Sequence, residues 1–498
     1  MKKSRKFLSV RLGYNSRLGF SLAALAFVGG CAVGPDYKRP EATTIPASYT
    51  GATASYADAI TKGWKVAEPQ GQLPKGNWWE IFGDAELNEL ENQAAAANQQ
   101  LKAAVARFTE ARAVMDATRS RLFPDLSISA SYTRQRSSAN TPSRTTGNAF
   151  GSSSTFNDFS VPLSLGYELD LWGRVRRSVE SARAQEQASA DDLQAVKLAI
   201  QAEVAVDFFR LRALDSESAL LRSNIQVFSK SLELTRNRRA GGVVSDLDVA
   251  QAETLLKTTQ AQLPAVALQR SQFEHTIAVL AGQNASTFHI PERTLASGSP
   301  VIPPDLPSEL LERRPDISAA ERRMAAANAN IGVAKAAFFP TVRLNGLAGF
   351  ESFDAGTLFN WSSRLWAVGP SITLPLFEGG RLRANLRFTQ AAYEEMIANY
   401  RQTVLTAFAD VEDNLAAQTL LASQYQTESE ALAAARKQLE VANNRYRDGL
   451  ITYLEVATAE NTVLNIESTT VQLRGQQLMA AVTLVKALGG GWQETINQ

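Results

Sequence analysis

Two stretches of the chain, Arg174 to Ala240 and Arg381 to Asp448, run for 67 and 68 residues without one glycine or proline. Both are rich in Ala, Leu, Gln, Glu and Arg, all good helix formers. The pattern predicts two helices, each about 100 Å long at 1.5 Å per residue. Helices of that length persist only when packed side by side, so a coiled-coil arrangement is expected, with small alanines permitting close approach. Each run stops at Gly241-Gly242 or at Gly449, and helix-forming sequence resumes near Ser245 or Thr452. A helix stop, a tight turn and a capped restart describe a long antiparallel hairpin. Shorter helices are expected from Glu86 to Leu122 and from Ser308 to Phe338, the second tolerating Pro315 because it lies at the helix start.

Between these helices the period of the hydrophobic pattern falls to two. Leu126, Ile128, Ala130 and Tyr132 alternate with Ser127, Ser129, Ser131 and Thr133, and a second segment carries Phe159, Val161, Leu163, Leu165, Tyr167, Leu169 and Leu171. A third carries Val342, Leu344, Gly346, Ala348 and Phe350, and a fourth Trp366, Val368, Pro370, Ile372, Leu374 and Leu376. Strands are therefore expected at about 125–136, 158–171, 341–352 and 365–376. Segments of about ten residues with one apolar and one polar face fit transmembrane β-strands, although half-buried soluble strands share the alternation. The Ser/Thr/Asn-rich loop 134–158 and the interfacial tryptophans Trp361 and Trp366 favour the membrane, and Trp172 and Phe377 are expected in a second aromatic girdle at the opposite strand ends.

The pattern is duplicated at an offset near 207. Asn237-Arg238 and Gly242 to Glu253 match Asn444-Arg445 and Gly449 to Glu460; Leu169-Asp170-Leu171-Trp172 with Gly173-Arg174 parallels Leu374-Pro375-Leu376-Phe377 with Gly380-Arg381; Leu122-Phe123-Pro124 parallels Phe338-Phe339-Pro340. The order and spacing of these matches define repeat 1 over 85–282 and repeat 2 over 308–488, joined by a linker at 283–307 and followed by a tail at 489–498. The expected class is an α+β membrane protein whose two repeats each supply a long helical hairpin and two membrane strands.

Composition narrows the chemistry. Basic and acidic residues number 51 and 50, which gives no reason to expect a nucleic-acid partner. With two histidines and one cysteine in 498 residues, disulfides within the chain, Cys/His zinc sites and cysteine proteases are excluded. Paired carboxylates with a base, a Ser/His/Asp set and a phosphate-binding glycine loop are likewise missing, so no enzyme activity, metal or cofactor is expected. His275 and His289 read as ordinary polar residues. At the start, Lys2, Lys3, Arg5, Lys6, Arg11 and Arg17 precede an apolar stretch, Leu18 to Val28, that is too short to span a bilayer and ends in Gly29-Gly30-Cys31. This is the form of a bacterial export signal over 1–30. Val28-Gly29-Gly30-Cys31 resembles a lipobox, after which Cys31 becomes the acylated first residue; an ordinary secreted protein with a chance cysteine is the alternative. Loss of 1–30 removes six basic residues, leaving a mildly acidic mature chain with 45 basic and 50 acidic residues.

Four strands cannot close a barrel, and an open sheet edge leaves backbone groups unpaired in hydrocarbon. The chain must therefore pool strands with copies of itself: two copies give eight strands with a filled interior, three give twelve and an open pore. The polar set Ser127, Ser129, Ser131, Thr133, Ser164 and Thr373 suits a water-filled lumen.

The chain resembles the TolC family of outer-membrane channel proteins, specifically the lipoprotein (NodT-type) branch serving resistance-nodulation-division efflux pumps. The resemblance rests on Cys31 to Tyr37 (CAVGPDY), Leu311 to Ile317 (LERRPDI), Ala337 to Pro340 (AFFP), Phe377 to Arg381 (FEGGR) and the turn Asn444 to Glu460, in that order on a duplicated chain. It implies a homotrimeric, 12-stranded β-barrel in the bacterial outer membrane, anchored through lipid on Cys31 and continued by an α-helical barrel in the periplasm. An equatorial domain would be built from 31–84, 283–307 and the tail. The implied partners are a periplasmic adaptor and an inner-membrane pump, and the implied function is a passive exit duct gated at the helix tips. Arg445 then corresponds to a gate-linking basic residue, Leu454 to an apolar constriction ring and Glu455 to an acidic ring. Family members commonly carry a further acid one turn on, where this chain has Thr458, which leaves one expected acidic ring. Arg238, Leu247 and Asp248 are expected more peripherally, where ion pairs between hairpins could latch a closed state, and Gly242 and Gly449 at the adaptor contact. Solvated surface charge is the plainer alternative for these charged residues. The rival functions are a duct for type I protein secretion and, less well matched, a trimeric structural or adhesin protein. The scarcity of methionine leans weakly toward organic cargo, and the pump rather than the duct would select it.

Overall fold

The computed structural model describes residues 32–42, 76–136, 138, 155–295 and 313–490. Cys31, the signal segment, most of loop 134–158 and the expected helix start at 308–312 lie outside the described residues. The chain is mostly helical with one smaller sheet. Its elements run α1 (Ala85–Ala97), α2 (Gln99–Arg119), β1 (Asp125–Ile128), β2 (Ser131–Arg136), β3 (Thr155–Leu169), α3 (Arg174–Ala240), α4 (Asp246–Leu280), α5 (Pro315–Ala336), β4 (Thr341–Ser352), β5 (Arg364–Thr373), α6 (Arg381–Arg447) and α7 (Tyr453–Ala487). The long helices α3 and α6 each hold 67 residues, and α4 and α7 each hold 35. Two compact units divide the chain: one comprises 1–39, 111–186 and 323–397, the other 40–110, 187–322 and 398–498.

The first unit contains the sheet, antiparallel throughout, in the order β1-β3-β4-β5 with β2 also on β3. Directly opposed residues share a face, and the register sorts the faces cleanly. Leu126, Leu165, Gly346 and Val368 form one row, and Ile128, Leu163, Ala348 and Trp366 the next. The intervening rows are mostly polar or small, with Phe156, Leu347 and Leu365 as exceptions: Ser127 faces Ser164, Asp125 faces Gly166, and Glu168 faces Arg343, which faces Ser371.

The single strand expected at 125–136 is interrupted. Ile128 opposes Leu163 and Ser131 opposes Ser160, so one register continues across the gap and places Ser129 opposite Pro162. The Ser129 N–H donates to the Pro162 carbonyl at 3.1 Å. Proline has no N–H to return to Ser129, so the ladder lapses there and the strand divides into β1 and β2. On the other side of β3, Gly349 opposes Pro162, where an added Cβ would lie 2.3 Å from the Val161 carbonyl oxygen. The strand expected at 158–171 begins earlier and stops at Leu169, because the Asp170 carboxylate accepts from the backbone N–H groups of Val175 (3.1 Å) and Arg176 (2.8 Å) and starts α3. Likewise β5 ends at Thr373 rather than 376, just before Pro375. Trp172, half-buried, stacks on Phe339 with centroids 4.8 Å apart and donates its indole N–H to the Pro340 carbonyl at 2.8 Å. Phe377 is exposed.

In the second unit, α3, α4, α6 and α7 bury a shared core that includes Phe228, Leu232, Leu256, Tyr446, Tyr453, Val456 and Leu464. Helices approach closely where residues are small: a Cβ on Gly475 of α7 would lie 2.7 Å from the Ala213 Cβ of α3. The helix expected from Glu86 to Leu122 is broken at Asn98. The Asn98 side chain accepts from Leu101 N–H at 2.9 Å, capping α2, and donates to the Leu280 carbonyl at 2.8 Å, so one residue ends α1, starts α2 and holds the end of α4. The linker after α4 is pinned by buried charge: Ile290 N–H donates to Glu274 (2.6 Å), the Ile290 and Pro291 carbonyls accept from Arg270 (2.5 Å) and Arg212 (2.7 Å), and Asp215 bridges both arginines.

Glu91 of α1 is fully buried, and its carboxyl oxygens have no hydrogen-bond partner among the described residues. Burial pushes this carboxyl from its ordinary value near 4.5 up to about 9. The folded chain thus holds a proton that the unfolded chain releases, and stability contributed by the neutral acid is present below about 4.5 and lost as pH rises toward about 9. Glu91→Gln is expected to raise the thermal midpoint at pH 8 and to match the wild type at pH 4. Thermal unfolding at both pH values checks this, and equal shifts at both would contradict it.

Candidate functional site at the helix-hairpin tips

The two hairpin tips share one backbone design. Gly242 (φ +74°) follows α3 and Gly449 (φ +77°) follows α6, in the left-handed region that closes a helix end. Val243 N–H reaches back to the Arg238 carbonyl (2.9 Å) and Gly242 N–H to the Arg239 carbonyl (3.0 Å). At the second tip Leu450 N–H reaches Arg445 (2.9 Å) and Gly449 N–H reaches Tyr446 (3.1 Å). These are paired Schellman closures. A Cβ at either glycine would meet nothing within 4 Å, so the requirement there is conformational, not steric.

The side chains, in contrast, differ between tips. At the first, Ser245 and Asp248 form a capping box: Asp248 N–H donates to the Ser245 hydroxyl (3.3 Å) and Ser245 N–H to the Asp248 carboxylate (2.9 Å). Thr452 and Glu455 hold the equivalent positions of the second tip but form no such box. Asp248 fills the gap. Its second oxygen accepts from Tyr453 N–H at 3.2 Å, so one carboxylate serves the first turns of both α4 and α7. Partial burial pushes the Asp248 carboxyl up, but hydrogen bonds from the Ser245 hydroxyl and from backbone N–H groups outweigh it and hold the group below its ordinary range.

Arg238 acts at the other end of the second turn. Its guanidinium donates to the Tyr446 carbonyl at 2.8 Å and lies over the Tyr446 ring at 4.4 Å, completing the end of α6. The first tip therefore closes the second through Arg238 and Asp248. The junction uses backbone groups and an aromatic ring, not the inter-hairpin ion pairs expected from sequence. Arg445, Leu454, Glu455 and Leu247 are exposed, and the Arg445 and Glu455 side chains make no hydrogen bond or ion pair among the described residues. Thr458 donates its hydroxyl to the Leu454 carbonyl at 2.7 Å.

Residues that sequence reasoning passed over complete the junction. Tyr446 and Tyr453 meet edge to face at 5.6 Å across the second turn. The equivalent residues of the first tip, Arg239 and Asp246, form an ion pair at 2.7 Å. An ion pair replaced by two tyrosines at the same repeat positions was the available signal. Beneath them lies Glu460, buried, accepting from the Ser231 hydroxyl (2.9 Å) and the Tyr453 hydroxyl (3.1 Å). Burial pushes the Glu460 carboxyl up against the opposing effect of those two hydrogen bonds.

The model of the family described as "Outer membrane efflux protein" matches residues 90–283 and 306–490. The chain is 34% identical over 485 residues to the toluene efflux pump outer membrane protein TtgC of Pseudomonas putida, covering 96% of each chain. Among solved structures it resembles the outer-membrane channel OprN, with a TM-score of 0.83 and 31% identity over 93% of this chain and 100% of that one. It also resembles the CmeC outer membrane channel of Campylobacter jejuni, with a TM-score of 0.82 and 26% identity over 94% and 96% of the two chains.

If Arg238 and Asp248 close the second tip as described, Arg238→Ala and Asp248→Asn should each raise backbone amide exchange across 446–456 by about tenfold, since a charged hydrogen bond or cap of this kind contributes about 1–2 kcal/mol. The Arg238 carbonyl, not its side chain, closes the first turn, so the Val243 amide should stay protected in Arg238→Ala. Hydrogen exchange by mass spectrometry reads both; in Arg238→Ala, exchange rising equally at the two tips would overturn the asymmetry.

Proposed function

The chain belongs to the outer membrane efflux protein family, and on that premise we propose how its own residues form and control the exit duct. The protein is an outer-membrane channel of a tripartite efflux pump, and its family consists of channel proteins, not enzymes. One observation carries the reading of how it works. The sheet has an apolar face and a largely polar face, while β1 and β2 on one side and β5 on the other each lack an outer partner among the described residues. Among the described residues no helix is long and apolar enough to cross a membrane. The strands, of 10 to 15 residues for β3, β4 and β5, have the length of membrane strands.

In this reading three copies join edge to edge, β5 of one beside β1 and β2 of the next, to give a twelve-stranded barrel with the Ser127, Ser164 and Asn345 face inward. Each of β3 and β5 is followed within a few residues by a long helix, α3 or α6, so the wall passes from strand to helix. Cargo diffuses through a wet lumen and no bond is made or broken. Cys31 carries the lipid anchor. An adaptor engages the turns at Gly242 and Gly449, and an inner-membrane pump supplies energy and selects cargo.

Control is assigned to the second tip. Leu454 and Glu455 are exposed on the first turn of α7, and threefold repetition would set them as an apolar ring and an acidic ring, the first excluding water and the second favouring cations. The capping duty of Glu455 has passed to Asp248, which leaves the Glu455 carboxylate available for such a ring. Arg445, exposed on the other side of the same turn, would pair between copies. Arg238 and Asp248 act as the intrachain latch that keeps the second tip joined to the first.

Three measurements test this. Purified protein in detergent should be a trimer by light scattering, and a stable single-chain species would sink the reading. In planar bilayers, Glu455→Ala should weaken divalent-cation block several-fold and Thr458→Asp should strengthen it; unchanged conductance and block in both would remove the gate from these positions. Cys31→Ser should abolish incorporation of labelled palmitate, and persistent labelling would place the lipid elsewhere.

A further inference from the structure

The charges on the strands are sorted by face more sharply than membrane insertion requires. The strands carry four carboxylates, Asp125, Asp158, Glu168 and Glu351, and the register places all of them on the polar face. Of the four arginines only Arg343 joins them, opposite Glu168. The others, Arg134, Arg136 and Arg364, fall on the apolar face, in the alternation that contains Tyr132, Phe159, Phe350 and Trp366. Each also stands at the loop end of its strand: Arg364 is the first residue of β5, and Arg134 and Arg136 close β2. The helix end of the same face carries Leu169, Val342 and Ile372. Cations thus mark one margin of the apolar band and not the other.

Aromatic residues gather at that margin, from the strands and from the β4–β5 connection. Tyr132 packs on Phe159 at 4.7 Å, Phe350 meets Phe359 at 5.7 Å, and the Arg364 guanidinium lies 3.7 Å from the centre of the Trp361 ring. Stacking on an indole orients a guanidinium while leaving its N–H fork for an acceptor in the ring plane. A planar cation above an aromatic belt, with no strand carboxylate on its face, matches a phosphate at the depth of a lipid headgroup.

We propose that Arg134, Arg136 and Arg364 form a belt that binds the phosphate groups of an anionic lipid in the outer leaflet. The proposal rests on the channel reading, because it requires the apolar face to meet lipid. Edge-to-edge closure would bring β5 of one copy beside β2 of the next, so Arg364 and the β2 arginines would be supplied to one phosphate cluster by neighbouring chains. Lipid bound there would bridge the seams between copies.

The test uses the full mature protein in phosphatidylcholine nanodiscs carrying either lipid A, a phosphorylated glycolipid, or the same lipid dephosphorylated. Lipid retained per chain through mild extraction is counted by native mass spectrometry, and single-channel conductance is recorded alongside. Wild type is expected to retain lipid A in preference to the dephosphorylated form, and the triple variant Arg134→Gln, Arg136→Gln, Arg364→Gln to retain it about a hundredfold less, with conductance unchanged. The triple Arg→Lys variant should keep part of the preference. Equal retention of both lipids by wild type overturns the belt and can be read even if the Gln variant fails to insert; undiminished retention of lipid A by an inserted Gln variant also overturns it. A wild type that conducts but ignores phosphate removes only the belt, whereas one that forms no pore removes the channel reading beneath it.

Discussion

Two rows of backbone N–H and C=O groups, one along β5 and one along β1 and β2, have no strand partner among the described residues. In water such edges are solvated; in hydrocarbon each unpaired group costs several kcal/mol. The apolar face beside them, from Leu126 across to Val368, belongs in hydrocarbon, so face and edges impose contradictory solvents on a single copy. Closure with further copies removes the contradiction, and the rest of the design follows from it.

The two repeats meet this constraint with the same backbone and different chemistry. Helices of 67 and 35 residues recur, and both turns close with a glycine at positive φ and the same pair of backward hydrogen bonds. At the tips the first repeat is self-sufficient, with its capping box and its Arg239–Asp246 ion pair. The second depends on the first: Asp248 caps α7, Arg238 completes α6, and an aromatic pair replaces the ion pair. The same divergence continues one turn further. Glu253 is half-buried and pairs with Arg236, while its counterpart Glu460 is buried beneath Tyr453 and held by Ser231. One tip thus closes itself, and the other is closed by it.

A polar residue can have opposite consequences depending on what surrounds it. Asn98 breaks a helix because its side chain can serve two others, and Asp170 ends a strand because it can begin α3. Glu91 has no such task, and burial keeps it protonated. None of these roles is visible in residue type, since each is fixed by the donors that tertiary packing delivers.

The sequence by itself determined the long helices, the glycine turns and the alternation of the strands, because those follow from local propensity and periodicity: Arg174–Ala240 was read to the residue from the lack of Gly and Pro. It also fixed which face of each strand is apolar, since period two leaves no freedom once the pattern is written. The position of Pro162 opposite Ser129, which divides β1 from β2, required the register, a long-range pairing that no local pattern encodes. Arg134, Arg136 and Arg364 share the apolar alternation of their strands, but only the register brings them to one end of one face. The tip residues Arg238, Asp248 and Glu455 were legible as candidates from the repeat and the family resemblance. Which of them were paired and which stayed exposed was decided only when two hairpins about 200 residues apart in sequence were brought side by side, because a cap is defined by the helix it closes.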